Sequence, residues 1–168
     1  LHYPLRRQRQ MCIRDRRFLV DDGFISFNDR WQGTFKQNVL REIGDFVIRR
    51  ADGLWAYQLA VVVDDGFQGV THVVRGADLI DNTPRQILLQ IALGLTTPGY
   101  MHIPLVLDKK GNKLSKQTLA PAIDRSKPEE EAARAWTHLG FKPFAFDTLD
   151  EFYSEAVKRW RTRFQIKA

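Results

Sequence analysis

Three consecutive segments constrain the fold most: "THVVRG" (71–76), "TPRQILLQIALG" (83–94) and "HIPLVLD" (102–108). The first and third are short and rich in β-branched and apolar residues, the composition of strands. The middle one reads as a helix. Thr83 stands at its N-cap, Pro84 at its first helical position and Gly94 at its stop, with Ile87, Leu88 and Ile91 on one face. A strand, a crossover helix and a second strand make a βαβ unit, so the sequence predicts an α/β fold with a helix-covered sheet. Two further segments read as strands, "DFVIRR" (45–50) and "YQLAVVV" (57–63), with the turn signal Asp52-Gly53 between them. The second is apolar almost throughout, as a strand covered on both faces would be.

After residue 125 the pattern turns helical. "SKPEEEAARAWTHLG" carries Ser126 and Glu129 at capping-box spacing and stops at Gly140. "TLDEFYSEAVKRWRTRF" repeats that spacing with Thr148 and Glu151. Leu149, Phe152, Ala156, Trp160 and Phe164 line its predicted buried side, and its acidic first turn and basic last turns suit the helix dipole. The expected organisation is a basic N-terminal segment at 1–17 set apart from the rest, an α/β body over 18–125 and a helical unit over 126–168. At 168 residues and 43% hydrophobic content, the chain has the size and apolar mass of about one domain with a core.

Charge is distributed unevenly. The net charge is +6, but residues 1–17 carry +5 and residues 157–168 another +5, leaving −4 for the body. A basic end suits nucleic acid, or is simply a solvated tail. The single cysteine, Cys12, precludes an internal disulfide and has no second cysteine at metal-ligand spacing. No apolar run approaches the roughly 20 residues of a membrane helix, and residues 1–17 lack the apolar core of a secretion signal, so a cytoplasmic protein is expected. The sequence contains no Walker A loop, no G-x-S-x-G and no G-x-G-x-x-G.

Two places carry residues suited to chemistry. "GNKLSKQ" (111–117) follows the strand 102–108, so it leaves the end of the sheet where open α/β folds bind ligands. Lys113 and Lys116 can act as point charges on phosphate oxygens, and Ser115 can add a hydroxyl donor. A lysine pair in an exposed turn is the plain alternative. Tyr57 and Arg75 fall on neighbouring predicted strands. An arginine at a strand end can grip a carboxylate with two hydrogen bonds, and a tyrosine adds a directional donor. The alternative is that Tyr57 belongs to the core and Arg75 pairs with Asp64, Asp65 or Asp78.

Taken together, "GDFVIRRADGLWAYQLAVVVDD", "GVTHVVRGADLIDNTPRQILLQIALG" and "MHIPLVLDKKGNKLSKQ" resemble the class I glutamyl-tRNA synthetase family in order and spacing, over roughly residues 30–120. "KLSKQ" is similar to that family's KMSKS signature. The resemblance is strongest to the short branch without an anticodon-binding domain, whose members attach glutamate to the queuosine base of tRNA(Asp). It implies that 18–125 is the carboxyl-terminal part of a Rossmann-type catalytic domain with a KMSKS-type loop. It implies L-glutamate, ATP with Mg²⁺ and tRNA(Asp) as partners, no membrane and a monomer. Tyr57 and Arg75 match glutamate-contacting positions; Lys113, Ser115 and Lys116 match the ATP loop, with the lysines in the catalytic role. The family's HIGH-type motif and zinc cluster have no counterpart in the sequence, which implies a piece of a longer enzyme, inactive alone. A piece of an ordinary glutamyl-tRNA synthetase, or a non-catalytic RNA-binding module that keeps the fold, are the alternatives.

Overall fold

The computed structural model describes residues 15–108, 111–114 and 122–166. The chain divides into two compact units, one through His102 and one from Ile103 onward.

The first unit begins with strands β1 (Arg16–Phe18), β2 (Ile25–Asp29) and β3 (Gly33–Gln37) and a short helix α1 (Val39–Glu42). It continues through β4 (Phe46–Arg49), helix α2 (Tyr57–Phe67), β5 (His72–Gly76), a 3-10 turn (Ala77–Asn82), helix α3 (Thr83–Ala92) and β6 (Gly99–Ile103). The main sheet has the order β3-β2-β6-β5, and β1 pairs with β4 in a separate ribbon. β2 and β3 form an antiparallel hairpin, while β2 runs parallel to β6. This is the α/β architecture the sequence predicts, with β5, α3 and β6 as the crossover unit. Val20, Val39, Phe46, Val62 and Leu89 form the core, with Phe18, Leu59, Leu88 and Leu95 packed around it.

Four local expectations are corrected. The segment 57–63 is not a strand but the start of the 11-residue helix α2. A continuous apolar run has no period that distinguishes a buried strand from a buried helix. Packing decides it: Val62 turns into the core against α3, while Val63 faces outward. At the end of α2, Gly66 admits the Leu95 side chain, which would lie 2.9 Å from an added Cβ. Second, Thr83 is not a cap; Asn82 holds that position, and Thr83 is a fully buried first-turn residue whose hydroxyl is used elsewhere. Third, Ile91 is exposed, and α3 buries Gln86, Ile87, Leu89 and Gln90 instead. Fourth, the last strand is Gly99–Ile103, not 102–108.

In the second unit, helices α4 (Pro128–His138) and α5 (Leu149–Phe164) pack through Trp136, Phe152 and Ala156. Trp136 stacks on Phe141 at 3.9 Å between ring centroids and donates its indole N–H to the Lys142 carbonyl. Thr148 caps α5 as predicted, accepting from the Glu151 amide, and Glu151 reaches back to the Asp147 N–H. Ser126 does not cap α4; its hydroxyl is drawn to Asp124, and Lys127 holds the N-cap position.

Candidate functional site

The carboxyl ends of three strands that are neighbours in the sheet bring together one polar cluster. Asp29 is the last residue of β2, His102 the penultimate residue of β6, and Arg75 the penultimate residue of β5. This edge of an open α/β sheet is where ligands bind, because the loops leaving it surround a crevice.

Asp29 is the hub. It ends β2 and starts the hairpin turn, where its Oδ1 accepts the amides of Trp31 and Gln32, both at 2.9 Å. The same carboxylate accepts the His102 backbone N–H at 3.0 Å and the His102 Nδ1–H at 2.6 Å. Burial raises the Asp29 pKa, but the amides of Gln32 and His102, the imidazole and the Trp31 amide outweigh it, so the carboxyl sits below the usual range. His102 is completely buried. That burial pushes its pKa down, the Asp29 bond opposes it, and the charge on Arg75 pushes down again, with a net lowering. The ring is therefore neutral at pH 7. A carboxylate can only accept, so Nδ1 carries the hydrogen and Nε2 presents a lone pair.

That lone pair takes the Nε–H of Arg75 at 2.9 Å. Arg75 Nη2 donates to the Thr83 hydroxyl at 2.6 Å, and that hydroxyl also lies 3.2 Å from His102 Nε2. The guanidinium carbon sits 5.5 Å from the centroid of the Tyr100 ring, a cation–π contact. The Tyr100 hydroxyl accepts from Gln90 at 2.9 Å, and burial raises its pKa. Asp29, neutral His102 and Arg75 thus form a chain in which a buried anion and a half-buried cation balance across an uncharged ring.

Of the residues singled out by sequence, Arg75 lies in this cluster. Its hydrogen bonds go to His102 Nε2, the Thr83 hydroxyl and, at 3.5 Å, the Leu79 carbonyl, and not to Asp64, Asp65 or Asp78 as in the alternative reading. Tyr57 opens α2 rather than a strand and is half exposed, and the hydrogen bonds of Arg75 go to His102, Leu79 and Thr83 and not to it. Beside it, Gln58 donates to Asn82 and accepts from buried Gln86. Lys113 belongs to the second unit. There Leu107 bridges Lys113, and the Asp108 carboxylate accepts from the Asn112 amide and side chain. Gly111, at φ +83°, closes that tight turn in the left-handed conformation that glycine adopts without strain. Ser115 and Lys116 lie outside the described residues. Among the described residues, no group of three or more His, Cys, Asp or Glu is placed to hold a metal ion, and no helix is long and apolar enough to cross a membrane.

Asp29, His102 and Thr83 escaped sequence reasoning. The available signal was His102 itself, one polar residue inside an apolar strand, and Asp29 at a strand end four residues before Gly33.

Comparison with known proteins places these residues in a family. The catalytic domain described as "tRNA synthetases class I (E and Q)" matches residues 5–143. A glutamyl-Q tRNA(Asp) synthetase of Burkholderia cenocepacia (strain HI2424) is 54% identical over 150 residues, 88% of this chain and 50% of that protein. One from Cupriavidus metallidurans is 61% identical over 127 residues, 74% of this chain and 41% of that protein. Among solved structures, a glutamate-tRNA synthetase from Elizabethkingia anophelis aligns with a TM-score of 0.56 at 29% identity, over 70% of this chain and 24% of that one. The chain spans about half the length of the curated relatives it matches.

Proposed function

Because the chain belongs to the class I tRNA synthetase family for glutamate and glutamine, we propose that it supplies the amino-acid side of a glutamate-activating site. The reaction is formation of glutamyl-adenylate from L-glutamate and ATP, followed by transfer of the glutamyl group to the queuosine base of tRNA(Asp). The observation that carries this reading is the identity, above one half across most of the chain, with a glutamyl-Q tRNA(Asp) synthetase. The protein acts as a monomer in the cytoplasm.

Arg75 receives a carboxylate of glutamate. Its Nε–H already serves His102, so the end of the guanidinium bearing Nη1 is the part offered to the ligand. The hydroxyl of Tyr57, a half-exposed residue, is a donor to the same amino acid. Lys113 and Lys116, with the Ser115 hydroxyl, meet the phosphates of ATP. Negative charge builds on the leaving pyrophosphate as the acyl–phosphate bond forms, and fixed cations stabilise that charge more in the transition state than in the ground state. Their role is electrostatic and moves no proton. Mg²⁺, when bound, neutralises phosphate charge.

The acceptor is tested with a chimaera in which this chain replaces the matched stretch of the Burkholderia cenocepacia relative. The reading predicts transfer of labelled glutamate to queuosine-containing tRNA(Asp) and none to queuosine-free tRNA(Asp). Label on tRNA(Glu) instead would identify an ordinary glutamyl-tRNA synthetase, and label on neither would refute glutamate transfer.

A further inference from the structure

We infer that Asp29 and His102 are positioning residues, which together fix the guanidinium of Arg75 so that its Nη1 end, and not its Nε side, is presented to the amino acid. The inference rests on the reading of Arg75 as the glutamate-binding residue and assigns the device that aims it.

An arginine has two edges that can grip a carboxylate with paired hydrogen bonds, one through Nε and a neighbouring Nη, the other through both Nη atoms. Here the first edge is closed. Nε has one hydrogen, and it lies on His102 Nε2 at 2.9 Å; Nη2 lies on Thr83 Oγ1 at 2.6 Å. Both acceptors are fully buried, so water does not compete for them. Nη2 also lies 3.5 Å from the Leu79 carbonyl, so of the second edge it is Nη1 that is left to the ligand.

His102 can accept from Arg75 only while Nε2 is unprotonated, and Asp29 enforces that state by taking the hydrogen on Nδ1 at 2.6 Å. Asp29 is itself held by the Trp31 and Gln32 amides of the β2–β3 turn. The orientation of one ligand-facing group is therefore traced back to a hairpin turn that touches no ligand. Without the imidazole acceptor, the long arginine side chain would sample several rotamers, and each binding event would have to order it again.

The two halves of the imidazole can be separated by substitution. In His102→Asn the amide reaches the Nδ1 position and can still donate to Asp29, but nothing reaches Arg75. In His102→Gln the amide oxygen can reach the Nε2 position and accept from Arg75, while the Asp29 bond is lost. On ¹⁵N-labelled 168-residue protein, exchange of the Arg75 Nε–H with water is expected to be slow in the wild type. It should stay within about threefold in His102→Gln and become at least about tenfold faster in His102→Asn. Calorimetric affinity for L-glutamate should follow the same order. A merely structural histidine would make the two variants alike, and that result overturns the inference.

Should neither variant fold, the wild-type protein still decides. Its ring nitrogen spectrum must show Nδ1 protonated and Nε2 bare, and a protonated Nε2 overturns the inference because it cannot accept. The underlying reading fails separately, if Arg75→Ala binds L-glutamate as well as the wild type does.

Discussion

Replacing Asp29 by alanine removes the acceptor for four donors at once. Two belong to His102, its backbone N–H and its Nδ1–H, in a residue with no solvent exposure. The other two, the amides of Trp31 and Gln32, lie in a turn that water can reach. A buried donor left without a partner costs about 1–3 kcal/mol. The two turn amides lose little, since solvent replaces the carboxylate. With two such donors on His102, the expected loss is about 2–6 kcal/mol. Asp29→Asn should cost less, about 1–3 kcal/mol, because its oxygen still serves the turn amides and one group is mismatched. Its NH₂ then faces His102, which can answer by moving its hydrogen to Nε2, and that hydrogen collides with the Nε–H of Arg75. Asparagine therefore keeps most of the fold while releasing the arginine. The assay is urea unfolding at pH 7.5, followed through amide resonances of α3 so that the first unit is read independently of the second. A loss below about 1 kcal/mol for Asp29→Ala would show that the carboxylate is not the buried hub described here.

In the second unit, Trp136→Ala should cost about 3–5 kcal/mol by the same assay on α5 resonances, because the ring is 5% exposed and packed on three phenylalanines. Trp160→Ala should cost clearly less, since Trp160 is only half-buried against Phe141 and Phe164; the reverse order would refute the packing. Acid should destabilise the first unit in two steps. His102 has its pKa lowered by folding, so as pH falls through the unfolded value of 6.5 the unfolded state takes up a proton that the folded ring refuses. Stability then declines by up to about 1.4 kcal/mol per pH unit until the folded pKa is reached. Asp29, also lowered, adds a second decline below 3.8. Denaturation midpoints from pH 8 to 3 check this, and flat stability between pH 6.5 and 5 would contradict it. In the chimaera, Lys116→Ala should slow glutamate-dependent ATP–pyrophosphate exchange on the order of 10²-fold while leaving glutamate binding near wild type.

Much of this fold is legible in the sequence, and the exceptions have physical causes. β5 and α3 are legible because Pro84 and Gly94 punctuate the helix and a β-branched run precedes it, whereas the third strand is read three residues late, since its first half, Gly99-Tyr100-Met101, holds no β-branched residue. The α2 helix is not legible, because "YQLAVVV" is apolar without a period and only packing against α3 chooses its state. Thr83 shows a second limit. Its type and position read as a cap, yet the hydroxyl is claimed by Arg75 from a strand eight residues earlier, a tertiary partner that no local rule contains. Arg75 could be picked out as a strand-end arginine, but the side on which it is held could not. Asp29 lies 73 residues from His102, and its own surroundings read as an ordinary hairpin turn.

The central claim is that Arg75, held from one side, receives the amino acid. Calorimetric titration of the 168-residue protein with L-glutamate, for the wild type, Arg75→Ala and Arg75→Lys, tests it directly. Loss of a charge-assisted hydrogen bond, worth about 1.5–3 kcal/mol, predicts binding at least about tenfold weaker for Arg75→Ala. Arg75→Lys keeps the charge but has no Nε–H for His102 and no planar fork, so it should recover only part of that loss. Equal affinity for L-glutamate in the wild type and Arg75→Ala would contradict the account.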